Sequence, residues 1–218
     1  LGENETYAID LSGHSSNGTA TNNAQYNVNG KYGGAFNFDG TNDRLLITDP
    51  TDGSAELTGA FTLDLWLKTS ETNGALISKL TGDPYNGWAF RFGNGNLQAY
   101  LKNWRAGSAT INDNVWHHTV FVYYGDGTGQ FYVDGQKDGA VQTGFTTPTA
   151  TTQDIYFGEE SWNINEFDFA GSIDEVRIWN RSLSTDEIYQ QYTSNLNKFN
   201  SSQWYLYVNQ PNSEGKFI

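Results

Sequence analysis

The 218-residue sequence is long enough to bury one sizeable core, and its 37% hydrophobic and 15% aromatic content fits a single large β-domain. Its formal charge is −13, which argues against nucleic acid as a partner because no basic stripe is present to release counterions. The sequence has no Cys, and this excludes disulfides, zinc-thiolate sites and thiol catalysis. No apolar run reaches the about 18 residues of a membrane span, so no membrane insertion is expected in this fragment. The sequence does not begin with Met, so we expect it to be a fragment cut from a longer precursor.

The N-terminal region is polar, and a short apolar cluster at residues 7–11 predicts a strand followed by a loop. The loop contains Asp10 and Asn17, with Gly13 and Gly18 permitting sharp turns. Its carboxylate and carbonyl oxygens are the donors that a hard cation such as calcium prefers. The same residues also fit an Asx-turn loop without an ion, so both interpretations stay open.

Residues 35–39 and 44–48 flank a Gly-Thr-Asn-Asp loop and predict a β-hairpin. Asp39 and Asp43 are placed to hold such a turn through bonds from side chain to backbone. Asp39 is also kept as a candidate metal ligand.

Two later stretches predict strands of the core. Residues 61–68 alternate strictly in polarity, and residues 116–124 are apolar on both faces, as in a central strand. Trp66 lies on the face opposite the apolar row, where packing is favoured over a sugar-binding role. His117 and His118 are adjacent and point to opposite faces, which favours structural roles over a shared metal.

The clearest hairpin is predicted at residues 88–101, with Arg91 and Tyr100 on its polar face. This polar row continues into Trp104, predicted in a loop, while Trp162 is predicted at the centre of an exposed loop at residues 159–168. Ring faces beside amide and guanidinium donors suit sugar recognition, because CH groups stack on rings and polar groups read hydroxyls. An ordinary solvent-facing sheet surface explains the same pattern equally well.

Toward the C-terminus, a period-2 apolar run gives way to a short helical one. The alternation places Asp174 on one face with Val176 and Ile178, and a carboxylate in such a row needs a partner. Ser184 and Glu187 then form a capping box, which predicts a helix of about three turns.

Four stretches, met in this order, resemble the laminin G-like, concanavalin A-like lectin/glucanase superfamily. They are residues 33–40 (GGAFNFDG), 61–68 (FTLDLWLK), the region 116–135 from WHHTV to YVDG, and 169–192 with GSIDEVRIWNRSLS. The resemblance implies an all-β fold, namely a two-sheet antiparallel β-sandwich of the jelly-roll type with one short C-terminal helix. It also implies a structural calcium ion that ties the N-terminal loop to the closing strand. The candidate ligands of this ion are Asp10, Asn17, Asp39 and Asp174.

The superfamily includes retaining glucanases, which need two carboxyls about 5 Å apart. Glu159 and Glu160 are adjacent and would point to opposite faces if they lay in a strand, whereas Glu166 and Asp168 share parity at a loop edge. The chain lacks the Glu-x-Asp-x-x-Glu pattern of the family's glucanases. A non-catalytic domain is therefore expected.

We expect residues 1–196 to form the sandwich and residues 197–218 to form a terminal strand or a connector. The favoured function is a carbohydrate-binding or adhesive module, stabilised by calcium, in an extracellular or cell-surface protein. Its candidate ligand-binding residues are Arg91, Tyr100, Trp104 and Trp162. The alternative is a structural or protein-interaction domain of a surface protein. The expected partner is thus a glycan or a surface protein, and the oligomeric state stays open.

Overall fold

The computed structural model describes residues 3–4, 7–82, 85–163, 166–198 and 204–208. The elements are β1 (Glu3–Asn4), β2 (Tyr7–Ala8), β3 (Gly18–Thr21), β4 (Gln25–Asn27), β5 (Ala35–Asp39), β6 (Arg44–Ile47), β7 (Phe61–Lys68), β8 (Asn73–Leu80), β9 (Gly87–Gly93), β10 (Asn96–Tyr100), β11 (Trp104–Ala106), β12 (His117–Tyr123), β13 (Thr128–Val133), β14 (Gln136–Thr143), β15 (Ile155–Phe157), β16 (Ala170–Trp179), α1 (Thr185–Thr193), β17 (Ser194–Lys198) and β18 (Trp204–Val208).

Two antiparallel sheets form a sandwich, which confirms the predicted fold class. The first sheet has nine strands in the order β1-β2-β3-β6-β15-β8-β9-β10-β11, and the second has seven in the order β14-β13-β12-β7-β16-β5-β4. β17 and β18 pair with each other as a separate two-stranded sheet. No helix in the described ranges has the length and apolar character needed to cross a membrane.

The core lies between the two sheets and follows from the period-2 alternation of the strands. Phe61, Leu63, Leu65 and Leu67 of β7 face this core, as predicted. The opposite sheet supplies the inward aromatic rings of β9, which are Trp88, Phe90 and Phe92. Because these rings point inward, the residues between them on β9 lie on the outer surface of the nine-stranded sheet.

The helix packs on the outer face of the seven-stranded sheet. Ile188 is fully buried and joins Leu183 in a small cluster with Val120 and Val122 of β12. The predicted capping box is present, since the Ser184 N–H donates to Glu187 and the Glu187 N–H donates to the Ser184 hydroxyl.

The predicted hairpin between residues 35–39 and 44–48 is wrong. β5 pairs with β16 and β4 in the seven-stranded sheet, whereas β6 pairs with β3 and β15 in the other sheet. The chain crosses between sheets because Asp43 is buried and its carboxylate accepts hydrogen bonds from the backbone N–H groups of Asn23 and Asp39. The Gly-Thr-Asn-Asp sequence thus fits a sharp turn between the two sheets as well as it fits a hairpin turn within one sheet.

The predicted alternation of the closing strand is also wrong beyond Asp174. The register of β16 against β7 shifts between Asp174 and Arg177, and Glu175 has a φ of 51°. Such a bulge places an extra residue in one strand and turns the following side chains to the other face. Val176 and Ile178 therefore pack against the inter-sheet core, while Asp174 lies opposite Trp66, on the outer face.

Candidate functional site

A cavity of about 430 Å³ lies on the outer face of the nine-stranded sheet, near its β11 edge. All four side chains predicted to bind a ligand line it, from three different strands and a loop. The described lining residues are Leu80, Tyr85, Arg91, Tyr100, Trp104, Glu160, Trp162, Asn163, Glu166 and Phe167.

The floor of the cavity is built by β9, β10 and β11. Asn94 and Gly95 join β9 to β10 with φ values of 53° and 80°, as a type I′ hairpin turn requires. In this register Tyr100 pairs with Trp104, and both stand on the same outward face as Arg91. The prediction of a loop at Trp104 was therefore wrong, because β11 extends the sheet by one more antiparallel strand.

Four aromatic rings form a continuous row along the cavity. The ring centroids of Trp162 and Tyr85 are 4.7 Å apart at 72°, and those of Tyr85 and Tyr100 are 6.5 Å apart at 79°. Tyr100 and Trp104 continue the row at 4.9 Å. Trp162 and Tyr85 are 36% and 44% exposed, so the row presents open ring faces at the mouth of the cavity.

Arg91 is held rigidly against this row. Its guanidinium carbon lies 3.5 Å from the Trp104 ring centroid and 4.5 Å from that of Phe167, and its Nε donates to Gln98 Oε1 at 2.9 Å. Its Nη1 lies 3.8 Å from Glu160 Oε1, which is an ion pair without a direct hydrogen bond. Burial lowers the pKa of Arg91, and Glu160 opposes this shift.

Glu160 places a buried carboxylate at the inner end of the cavity. The residue is 2% exposed, and its Oε1 has no hydrogen-bond partner within the described part of the chain. Burial raises the pKa of the Glu160 carboxyl; the Arg91 guanidinium opposes this rise and Glu166 adds to it. Because an unpaired buried acceptor is costly, this atom is suited to receive a donor from a ligand.

The loop that carries Glu160 and Trp162 connects β15 to β16 and is firmly attached to β8. The Ser161 N–H donates to Ser78 Oγ at 2.8 Å, and Ser161 Oγ exchanges hydrogen bonds with the backbone of Leu80. The first part of this loop is buried, so the prediction of an exposed loop throughout residues 159–168 was wrong. Its side-chain bonds to β8 fix the two cavity residues against the sheet.

In each of the two pairs of carboxylates that the sequence offers for catalysis, the side chains point in different directions. Glu159 pairs with Arg44, at 2.6 Å, on the far side of the loop from Glu160. Asp168 accepts a hydrogen bond from the Asn42 N–H, while Glu166 lines the cavity. Glu160 and Glu166 are thus the two carboxylates that face the same space.

The predicted calcium ligands of the N-terminal loop are occupied by the loop itself. Asp10 accepts hydrogen bonds from the backbone N–H groups of Ser12 and Ser16, and Asn17 Oδ1 accepts from the Asp10 N–H. Burial favours a higher pKa for Asp10, but the bonds from Ser12 and Ser16 outweigh it and lower the pKa.

The other two predicted calcium ligands lie in the seven-stranded sheet. Asp39 accepts hydrogen bonds from the Thr41 N–H and the Asn23 side chain, and Asp174 accepts from the Tyr32 and Glu175 N–H groups. Across the ranges that the structure describes, no three acidic, His or Cys side chains are grouped to hold a metal. Asp10, Asp39 and Asp174 therefore do not come together as a single carboxylate site.

The aromatic and histidine side chains on the outer face of the other sheet are packing groups. Trp66 is 2% exposed and stacks on Tyr192, and His118 Nε2 lies 3.0 Å from the buried Asp64 carboxylate. His117 pairs with Asp134 on the other side of β12. These contacts agree with the structural roles predicted from the sequence.

A second cavity, of about 720 Å³, lies near the start of the segment after β6. Its carboxylates, Asp49 and Glu56, both pair with the fully buried Lys79, at 2.5 Å and 3.1 Å. Lys79 also donates to the carbonyl groups of Thr151 and Gln153. Because both carboxylates are already ion-paired with Lys79, whereas Glu160 Oε1 accepts no hydrogen bond from the described residues, the aromatic cavity is the stronger candidate site.

Sequence reasoning missed six of the described lining residues of the aromatic cavity, which are Leu80, Tyr85, Glu160, Asn163, Glu166 and Phe167. Tyr85 lies in a Gly- and Pro-containing loop and meets the same criterion that singled out Trp162. From the sequence, Glu160 and Glu166 were candidates only for catalytic roles. Their convergence on one cavity depends on the path of the loop after β15, which local sequence does not specify.

Comparison with known proteins gives a family and a set of similar folds. A model described as the concanavalin A-like lectin/glucanases superfamily matches residues 39–189, which confirms the resemblance seen in the sequence. None of the curated proteins compared with the chain matches it.

Several toxin binding domains have a similar fold. The binding domain of botulinum neurotoxin serotype D has a TM-score of 0.67 and 16% identity, over 86% of this chain and 49% of that one. The same ligand-binding domain in complex with N-acetylneuraminic acid gives 0.65 and 17%, over 86% and 49%. The binding domain of Paraclostridial Mosquitocidal Protein 1 gives 0.64 and 16%, over 89% and 53%. The chain thus spans about half the length of these domains, and the likeness shows a shared fold.

Proposed function

We propose that this chain, which belongs to the concanavalin A-like lectin/glucanase superfamily, is a non-catalytic carbohydrate-binding module whose recognition site is the aromatic cavity. The observation that carries the proposal is that Arg91, Tyr100, Trp104 and Trp162 all line one cavity. The register of β9, β10 and β11 brings the first three together on one face, and Trp162 joins them from the loop after β15.

The cavity contains both components that sugar recognition uses. The ring faces of Trp162, Tyr85 and Trp104 offer flat apolar surfaces for the CH groups of a pyranose ring. The Glu160 carboxylate offers an acceptor for a hydroxyl, and it is already positioned by the buried loop after β15. Few rearrangements are needed on binding, which favours affinity because ordering costs are small.

The fold comparisons support a binding role without naming the ligand of this chain. One similar domain is described in complex with N-acetylneuraminic acid, and others are described as receptor-binding domains of toxins. We infer that this module likewise acts outside the cell, as part of a larger exported or cell-surface protein. Detection of its peptides in the culture medium or at the cell surface of the source organism tests this location.

Single replacements of Trp104 and Trp162 by Ala test the site. We expect each to weaken glycan binding by about tenfold or more, the loss typical of a Trp that anchors an interface. Binding is measured on a glycan array and then by isothermal titration with the best glycan. Tyr7→Ala is the matched control, because this exposed ring lies toward the opposite edge of the same sheet.

Two results would overturn the proposal. Undiminished glycan binding in both Trp variants would place recognition elsewhere, and failure of every glycan to bind, together with capture of a protein partner, would favour the protein-interaction alternative. Release of smaller saccharides during incubation would contradict the non-catalytic assignment. That product release would have to disappear in Glu160→Gln if the cavity were an active site.

A further inference from the structure

The aromatic cavity carries an excess of negative charge. Its formally charged lining residues, within the part of the chain that the structure describes, are Arg91, Glu160 and Glu166, which amount to one positive and two negative charges. The whole chain is also strongly acidic, at −13. An anionic ligand would therefore be repelled by the cavity and by its surroundings.

Arg91, the one cation among the described lining residues, already has several contacts. Arg91 is stacked between the rings of Trp104 and Phe167, its Nε donates to Gln98, and its Nη1 faces Glu160 at 3.8 Å. A carboxylate ligand needs a guanidinium with free, parallel N–H groups for bidentate binding. The guanidinium of Arg91 is stacked on the rings and its Nη1 already faces the Glu160 carboxylate, so a second carboxylate would have to share this charge.

Glu160 is only partly compensated by this arginine. The residue is 98% buried, its Oε1 accepts no hydrogen bond from the described residues, and Arg91 lies beyond hydrogen-bond distance. Burial raises the pKa of this carboxyl, Arg91 and a hydrogen bond from the Trp162 side chain oppose the rise, and Glu166 adds to it, so the cost of burying the ionised form is only partly offset. A ligand that brings a positive charge and an N–H donor would relieve this cost.

The aromatic row also favours a positive charge. Ring faces carry negative quadrupole density, and Trp and Tyr attract an ammonium within about 6 Å of the ring centroid. Trp162, Tyr85 and Tyr100 are arranged nearly edge to face, so their faces are turned in different directions around the cavity. An ammonium group is therefore attracted by the rings and by the carboxylates together.

We infer that the cavity takes a saccharide bearing a free ammonium group, an amino sugar, in preference to neutral or acidic saccharides. This inference rests on the proposed carbohydrate-binding function and specifies its ligand class. In the bound state the ammonium group donates to Glu160 Oε1, and the sugar ring stacks on the aromatic row. Glu160 thus acts as the specificity-determining residue, while Trp104 and Trp162 supply ring stacking that neutral saccharides share.

Titration with saccharides that differ in charge tests the inference. The probes are a tetramer of glucosamine, the N-acetylated form of the same tetramer, and lactose compared with sialyllactose, all at one ionic strength. We expect the glucosamine tetramer to bind at least about tenfold more tightly than its N-acetylated form, as one charge-assisted hydrogen bond permits. Sialyllactose is expected to bind more weakly than lactose.

The Glu160→Gln variant distinguishes the effect of the cavity carboxylate on ligand preference from the effect of the chain's net negative charge. We expect this nearly isosteric change to remove the preference for the glucosamine tetramer and to leave the neutral tetramer within about threefold of wild type. The matched control is Glu71→Gln, which removes the same charge from an exposed position before β8, at the opposite end of that strand from Leu80. Glu71→Gln should keep the full preference.

The outcomes distinguish the inference from the function on which it rests. Saccharide binding that is lost in Trp104→Ala, but without a preference for ammonium, overturns the inference and leaves the function standing. Retention of the preference in Glu160→Gln also overturns it. Absence of binding to any saccharide overturns both. Choline chloride is a further probe, and binding as tight as that of the glucosamine tetramer would overturn the assignment to a sugar.

Discussion

Glu159 and Glu160 are neighbours in sequence, but their side chains point into different environments. Glu159 pairs with Arg44 at 2.6 Å, whereas Glu160 faces the rings and lies 3.8 Å from Arg91. The sequence predicted opposite directions only for a strand, whereas both residues lie in the loop after β15. It did not indicate which of the two would meet a cavity, because that depends on the residues packed against the loop.

The pH dependence of stability follows from the environment of Glu160. Its pKa in the folded state is raised above the ordinary 4.5 of the unfolded state. At pH values between the two pKa values, the folded state therefore binds more protons than the unfolded state. The free energy of unfolding therefore falls as pH rises through this interval, and the full cost is present at neutral pH. Glu160→Gln lacks this titration and should melt higher than wild type at neutral pH.

Thermal melts of wild type and Glu160→Gln across the acid range check this expectation. The difference in melting temperature should grow as pH rises from below 4.5 toward neutrality. Glu71→Gln is the control and should show no comparable trend, since its side chain is exposed. A difference that stays constant with pH would contradict the raised pKa.

At the scale of elements, α1 is the segment whose bounds were best predicted from the sequence. Its start is set by the reciprocal bonds of Ser184 and Glu187, and its buried side is set by Ile188 against β12. The cap is a local signal, because a capping box spans one turn. By contrast, the bulge at Glu175 has no local signature and depends on pairing of β16 with β7.

Ser184→Ala should lower the free energy of unfolding by about 1 kcal/mol, because the Glu187 N–H loses its side-chain acceptor. Ser182→Ala is the control, with the same atoms removed just before the cap. Chemical denaturation of both variants measures the difference. Equal losses would mean that the cap contributes nothing specific.

The same cap gives a second, pH-dependent readout. The bond from Arg181, followed by that from the Ser184 N–H, lowers the pKa of Glu187 to about 2 from an ordinary 4.5. A carboxyl whose pKa is lowered by folding stabilises the fold at pH values above its pKa in the unfolded state. This contribution is lost as pH falls through its pKa in the folded state. The effect of Glu187→Gln on the melting temperature should therefore shrink as pH falls from about 4.5 to about 2.

At the scale of the whole molecule, Asp174 links parts of the chain that are 142 residues apart. Its Oδ2 accepts from the Tyr32 N–H at 2.9 Å, and its Oδ1 accepts from the Glu175 N–H at 2.7 Å. A Cβ on Gly30 would lie 2.8 Å from the same Oδ2, so glycine is required for the loop to approach. The sequence correctly predicted that this carboxylate needs a partner, and backbone N–H groups supply it.

Asp174→Asn should lower the free energy of unfolding by about 1.5–3 kcal/mol even in the presence of a chelator, because an amide can replace only one of the two acceptor oxygens. The measurement is a melt of wild type and variant in calcium and in chelator. Calcium binding stays a prediction from the family resemblance, and a calcium-dependent rise in melting temperature that the variant lacks would confirm it. A variant as stable as wild type in chelator would contradict the hydrogen-bonding role.

The sequence by itself determined the class of fold, the inward faces of β7 and β9, the position of α1 and the four aromatic and basic side chains of the candidate site. These features follow from periodicity and short-range spacing, which the order of residues encodes directly. Tertiary structure alone decided that β5 and β6 belong to different sheets and that β16 carries a bulge. It also decided that Glu160, Glu166 and Tyr85 join the predicted residues around one cavity. The physical reason is that sheet membership, register and loop path are set by long-range packing and hydrogen bonds between distant segments.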